Sequence, residues 1–495
     1  MIEKIFNLVC IIFIAITGSS CSGISAPYYD LVIDGGRVID PETQLDDIRY
    51  VGVVDGKIEI ISSEPILGRE HIDARGLVVS PGFIDLHAHG QNYAGQTYQV
   101  HDGVTTALEL ESGVSPFPNK DGRRRSLREQ LRERSGKSLI HYGYSAGYYG
   151  AREIVKERDI ERIKYEAATP EEMTAIFSMV ERDLDAGALG VGLPLDYISK
   201  GVDETELEGI FTLSAERKVP LFVHIRVPDD ERDLSGFEEL VALVRKTGAS
   251  LHMVHITSTG MGRVDRFIEI IEQARADGFD VSTEVYPYTA ASTEIGAQVF
   301  DGNWNRRWGA SYKDVEWPPT GKRFTSKEMW NEYRNKFPDS VIILHYMKEA
   351  WVESAIRHPD IMIVSDGMIE TMNQRTHPRI AGSYSRVLGR YVREKKVISL
   401  VDAIRKMSYL PAKRLENFTP AMRRKGRLQK GADADITIFD PDTVIDMATF
   451  SNPNQFSDGI LHVIVAGQWL VKGGSILPGI FPGMPITTKD TNQIM

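Results

Sequence analysis

The segment Pro81-Gly-Phe-Ile-Asp-Leu-His87-Ala-His89-Gly90 ends an apolar run with two histidines two residues apart. Side chains of an extended strand alternate between faces, so both imidazoles point the same way. Two imidazoles aimed together are half of a metal site. For this pair alone, two hydrogen-bonded core histidines are the competing reading. Three further segments extend the pattern. Phe222-Val-His224-Ile-Arg226 and Met253-Val-His255-Ile-Thr257 each close an apolar strand with a histidine, and Val364-Ser-Asp366-Gly367 closes another with a carboxylate. Groups at the C-terminal ends of separate strands converge on one spot when the strands close into a parallel barrel. A set of imidazoles and carboxylates without thiolate suits Zn²⁺, with Mn²⁺ or Co²⁺ as alternatives.

Such a site needs parallel strands to carry it. Short apolar runs at 82–87, 105–111, 140–146, 189–193, 220–226, 251–257, 280–286, 341–347 and 361–366 alternate with helical segments, the signature of βαβ units. Nine runs exceed the eight of a (β/α)₈ barrel, so one belongs to an insertion. Residues 291–340 carry Trp304, Trp308, Trp317 and Pro318-Pro319 and read as an aromatic-rich lid, spanning about 290–340. Outside the barrel, over 79–417, the two ends of the chain share a style. Leu31–Ile39 and Tyr50–Ile61 are β-branched runs broken by Gly and Asp, and Ala434–Asp440 and Val463–Val471 repeat it. The expected fold is an α/β TIM-type barrel with an inserted lid and a small β-sandwich domain built from both termini, 28–78 with 418–480.

The chain has 495 residues and a net charge of −11, a balance that disfavours nucleic acid as a partner and leaves small molecules open. Its first residues stand apart. Ile5–Thr17 is apolar and too short to span a bilayer, which suits a secretory leader over 1–20. Gly18-Ser19-Ser20-Cys21 resembles a bacterial lipoprotein cleavage site, with Gly18 where that pattern carries Leu. Export to the periplasm, with or without a lipid anchor at Cys21, is expected; a buried N-terminal helix is the alternative. The other cysteine, Cys10, lies inside the leader, so the folded domains hold no thiolate.

The ordered series HxH, His, His and Asp resembles the amidohydrolase superfamily, and more narrowly its D-aminoacylase (N-acyl-D-amino-acid deacylase) branch. Supporting motifs are Gly103-Val-Thr-Thr106, Gly187-Ala-Leu-Gly190, Val285-Tyr-Pro-Tyr288, Ser365-Asp-Gly367, His377-Pro-Arg379, Lys425-Gly-Arg-Leu428 and Gly431-Ala-Asp-Ala-Asp435, over roughly residues 30 to 475. The resemblance implies that His87 and His89 bind one metal and His224 and His255 another. It implies that Asp366 is the general base, passing a proton from water to the leaving amine; a helix N-cap is that residue's alternative. The activity implied is hydrolysis of N-acyl-D-amino acids to a carboxylate and a free amino acid, assisted by one or two zinc ions. A cyclic-amide hydrolase, an isoaspartyl-type dipeptidase and a non-catalytic ligand-binding lipoprotein are the other readings.

Two departures follow from the comparison of motifs. Many superfamily members bridge their metals with a carboxylated lysine after the fourth strand, where this chain has Gly190-Val-Gly-Leu193-Pro194. The D-aminoacylase branch uses a cysteine after Gly-Val-Thr-Thr, where this chain has Ala107-Leu-Glu109-Leu-Glu111. By alternation both glutamates point inward; Glu111, nearer the rim, is the candidate bridging ligand and Glu109 a buried support. For a substrate carboxylate, Arg379 is the candidate clamp, since its planar fork matches that group; a surface ion pair is the alternative. Arg226 is expected to face the same cavity or to support Glu111, and Tyr286 to donate to a carbonyl oxyanion. Relatives carry lysine at the position of Thr257. The remaining histidines, His345 and His252 among them, are read as structural or surface.

Overall fold

The computed structural model describes residues 28–89, 91–114, 126–226 and 234–489. The leader and Cys21 lie outside these residues. Within them, no helix is long and apolar enough to cross a membrane.

Eight parallel strands are traced around the central core: β1 (Phe83–Asp85), β2 (Val104–Glu109), β3 (His141–Tyr144, continuing after Ser145 as Ala146–Gly147), β4 (Val191–Pro194), β5 (Pro220–His224), β6 (Ser250–Met253), β7 (Val281–Val285) and β8 (Met362–Ile363). Each pairs with the next in parallel register. The ring closes just beyond the ends of β8 and β1, where Ala88 bridges Gly367, Asp366 N–H donates to the His87 carbonyl at 2.8 Å, and His89 N–H donates to the Gly367 carbonyl at 3.0 Å. The last seam of the barrel is therefore made by the residues singled out for chemistry. Strands buried on both faces read as continuous apolar runs, which is why every one was visible in the sequence.

The helices between them bury one stripe against the ring. In Pro170–Asp185 the Thr169 hydroxyl accepts from Glu172 N–H, Glu172 reaches back to Thr169 N–H, and Pro170 takes the first turn, where its missing donor costs nothing. Its buried residues Ile176, Val180 and Leu184 recur every fourth position and enter the barrel-wide core.

The run 341–347 resolves the count of nine. Val341–Leu344 pairs antiparallel with Ala291–Glu294 and with Val315–Trp317, so it belongs to the insertion rather than the barrel. Trp304, Trp308, Trp317, Phe300, Phe324 and Trp330 form a separate aromatic core under that small sheet. The strands of both chain ends join in one nine-stranded sheet, with Ile436–Phe439 inserted beside Val78–Pro81, around a second core that includes Ile33, Val51, Ile58, Ile438 and Ile464. Past that sheet, the tail returns to the barrel: Tyr142 N–H donates to Met484 and Ile486 N–H to Tyr142, along the free edge of β3.

Candidate metal centre

The C-terminal ends of the strands bring the histidines together. His87 and His89 follow β1, His224 ends β5, His255 follows β6, and Asp366 follows β8. All of these side chains except that of His89 are almost fully buried, and they surround Glu111, which lies just beyond β2. Glu111 Oε2 lies 2.9 Å from His87 Nε2 and 3.2 Å from His89 Nε2, while Oε1 lies 2.7 Å from His224 Nδ1 and 4.0 Å from His255 Nε2. Asp366 Oδ1 stands 3.5 Å from His87 Nε2 and 3.4 Å from His89 Nε2. The helix N-cap alternative for Asp366 finds no helix there; the next begins at Arg379.

The partners on the far side of each ring decide what these atoms offer. His87 Nδ1 is 2.6 Å from Glu284 Oε1, and His89 Nδ1 is 3.1 Å from Glu109 Oε1. A carboxylate accepts only, so each Nδ1 carries the hydrogen and each Nε2 is left with a lone pair. Ser258 Oγ, 2.9 Å from His255 Nδ1, donates its own hydrogen to the His255 carbonyl, which assigns that ring the same tautomer. Those Nε2 lone pairs face Glu111 oxygens, and the His87 and His89 Nε2 atoms face each other at 3.1 Å. Acceptors facing acceptors repel unless a cation lies among them. The donor set fits a metal ion.

Two groups of three donors have all ligand atoms within 4.8 Å of one another: His87, Glu111 and His255, and His87, His89 and Asp366. The His224 ring lies 4.4 Å from that of His255, and its Nδ1 meets Glu111 beside these two groups. His87 is shared by both groups, and His224 approaches through Glu111. Electrostatics follow the geometry. Burial alone would drive Glu111 up, yet the imidazoles of His87, His224 and His89 around it, with a hydrogen bond from His224, hold it well below the usual carboxylate range. Burial outweighs the neighbouring acids at His255 and, with the charge of His224, pushes it down to about 3, which keeps it a neutral ligand. Backbone strain marks two of these positions: His255 at φ +31° and Asp366 at φ +50° sit in the left-handed region that glycine ordinarily fills.

Around this cluster stand the residues read as substrate contacts. Arg379, nearly fully buried, donates to Asp366 Oδ2 at 2.7 Å and to the Ser292 carbonyl at 3.2 Å, with its guanidinium 4.8 Å over the Tyr286 ring. It is no surface ion pair. Arg379 Nε, the Tyr286 hydroxyl and Thr257 Oγ1 are buried and find no hydrogen-bond partner among the described residues, as groups that meet a ligand do. Arg226 is a correction. Its guanidinium pairs with Glu239 at 2.9 Å and donates to the carbonyls of Ser199 and Val202, so it neither supports Glu111 nor joins the cluster. Strand β5 ends at His224, and parity says nothing about a side chain two residues beyond.

Sequence reasoning missed Glu284, which is wholly interior; His252, left as structural or surface, is a buried support bonded to Glu284 and Ser282. The available signal was an acid inside a buried strand, at the same parity as Tyr286. Glu109, read as a support, does support His89. Tyr197, whose ring lies 5.0 Å from that of His224, also went unnoticed.

Comparison with known proteins adds a consistent picture. Residues 332–471 match the model of an amidohydrolase family. An N-acyl-D-glutamate deacylase of Alcaligenes xylosoxydans xylosoxydans is 31% identical over 480 residues, 88% of this chain and 93% of that protein. A D-aminoacylase of the same organism is 28% identical over 470 residues, 89% and 94% of the two chains. Among solved structures, the N-acyl-D-glutamate deacylase of Bordetella bronchiseptica, complexed with zinc and a phosphonate mimic of the tetrahedral intermediate, superposes with a TM-score of 0.80 at 27% identity, covering 93% of this chain and 100% of that one.

Proposed function

Because the chain belongs to the amidohydrolase family, in its D-aminoacylase branch, we propose that it hydrolyses the amide bond of N-acyl-D-amino acids, releasing a carboxylate and the free amino acid, with zinc as its metal. The observation that carries this reading is the convergence of donor atoms from His87, His89, His255, Glu111 and Asp366, a set that a bound divalent ion would satisfy. These residues, with His224 behind Glu111, would hold one or two ions. A divalent ion bound there acts as a Lewis acid, polarising a carbonyl and lowering the pKa of water toward neutrality.

The remaining work belongs to side chains. Asp366 stays ionised because the positive charge of Arg379 beside it outweighs the upward push of burial. As an anion it accepts a proton from the attacking water and returns it to the departing nitrogen, which then leaves as a neutral amine rather than as a strongly basic amide anion. Arg379 offers its unpartnered Nε to the substrate carboxylate. Tyr286 keeps its hydroxyl hydrogen, since burial raises its pKa, and can therefore donate it to the developing oxyanion.

The apolar leader and Cys21 support an exported protein, anchored by lipid or cleaved after Ser20. Mass measurement of the mature N-terminus after expression with the leader distinguishes the two. For the reaction itself, purified zinc-loaded protein is assayed against N-acetyl-D-amino acids, their L forms, hydantoins and dipeptides. Release of free D-amino acid is the expected result. Turnover confined to hydantoins or dipeptides overturns deacylation in favour of a cyclic-amide hydrolase or a dipeptidase.

A further inference from the structure

Beneath the metal centre lies a chain of buried polar groups that the reaction does not use. Glu284 is 1% exposed and lies inside the barrel on β7. Its Oε1 accepts from His87 Nδ1 at 2.6 Å, and its Oε2 accepts from His252 Nε2 at 2.9 Å. The other nitrogen of His252 meets Ser282 Oγ at 2.8 Å. Strand register explains the assembly. His252 on β6 is directly opposite Ser282 on β7, and Glu284, two residues further, shares Ser282's face. An unpaired carboxylate at this depth would cost several kcal/mol. Here each oxygen has a histidine donor.

We propose that Glu284, itself braced by His252 and Ser282, is a positioning residue for metal binding: it fixes the ring and tautomer of His87 so that Nε2 presents its lone pair to the cation. The inference rests on the reading of His87 as a ligand. His87 belongs to both donor groups, so its orientation affects either ion. Replacing the anion opposite Nδ1 also lowers the basicity of Nε2, since a carboxylate hydrogen bond raises the electron density on the ring it accepts from.

The test is zinc affinity, measured by competition with a chromophoric chelator on wild type, Glu284→Gln and Glu284→Ala. Glutamine keeps the shape: its carbonyl accepts from His87 Nδ1, and its amide donates to His252 once that ring moves its hydrogen to Nδ1, facing Ser282. The charge is removed and the packing is kept. Partners of this kind typically change metal affinity by about 10- to 100-fold. Glu284→Gln is expected to weaken zinc binding by about tenfold and Glu284→Ala by more, with the cobalt-substituted glutamine variant showing a shifted visible spectrum. The melting temperature of the zinc-free protein separates this from general damage: it should move little in Glu284→Gln. Zinc affinity within twofold of wild type in Glu284→Gln, with an unchanged cobalt spectrum, overturns the proposal. If wild type itself binds no zinc, the reading of the metal centre fails instead.

Discussion

At the scale of residues, the site is defined by what stands behind each ligand. His87 and His89 each donate one ring hydrogen to a carboxylate, and the opposite nitrogens then have no partner but a cation. Asp366 is divided in function between its two oxygens, Oδ1 toward the histidines and Oδ2 on Arg379. An amide in its place cannot accept and return a proton, although it fills the same space. Asp366→Asn should therefore lower turnover by about 10²- to 10⁴-fold, the usual contribution of general acid–base catalysis, while most of the bound zinc remains. Steady-state rates alongside metal analysis read both quantities. A variant that turns over at the wild-type rate excludes Asp366 as the proton carrier. The ligand-bearing strand ends were legible because alternation holds wherever a strand is paired. It held as far as Glu111 because the neighbouring Leu110 carbonyl, accepting from Ser145 Oγ at 2.7 Å, keeps that segment against β3. It failed at Arg226, past the end of β5. Glu284 showed its parity but not its role: its histidine partners are 197 and 32 residues away in the chain, pairing with β6 brings His252 to it, and closure of the ring brings His87.

At the scale of elements, the lid is held by its own core rather than by the barrel's. Trp330, 2% exposed, packs 4.9 Å from Trp304 and within 5.6 Å of Phe300 and Phe324. The lid reaches the site through Ala291–Glu294, since the Ser292 carbonyl accepts from Arg379. Trp330→Ala removes the centre of this cluster at a cost of about 3–5 kcal/mol. We expect hydrogen exchange to accelerate across 295–344 and KM to rise, while β1 to β8 exchange as before. Uniform acceleration over the whole chain would show instead that lid and barrel are one cooperative unit. That a lid exists was readable from tryptophans clustered between strands. That the run 341–347 belongs to it was not, because a short apolar strand has the same composition in a parallel barrel and in an antiparallel hairpin.

At the scale of the molecule, the sheet built from both halves of the described chain is fastened to the barrel. Asp435, next to the terminal sheet, accepts from His141 Nε2 on β3 at 3.0 Å and from Lys425 Nζ at 2.6 Å. Burial would raise its pKa, but the charges of His141 and Lys425 hold it far below the usual carboxylate range. A carboxylate depressed in the folded state stabilises the fold above its unfolded pKa, and that contribution is lost as pH falls below about 4. Asp435→Asn should thus be less stable than wild type by about 3–5 kcal/mol at pH 7, the cost of breaking a buried pair, with the gap narrowing at pH 3. Urea unfolding at both values measures it; an equal gap at both would remove the charge from the explanation. The Lys425 and Asp435 motifs were recognised in the sequence only as family features, and their joint hold on His141 emerges from the packing.

The account as a whole depends on a cation among those facing acceptors. Zinc content and hydrolysis of an N-acetyl-D-amino acid should therefore be followed together as the protein is stripped by a chelator and then titrated with zinc. The expectation is that activity disappears with the metal and returns within two equivalents of zinc per chain. Metal-free protein that hydrolyses the substrate as fast as the loaded enzyme would contradict it.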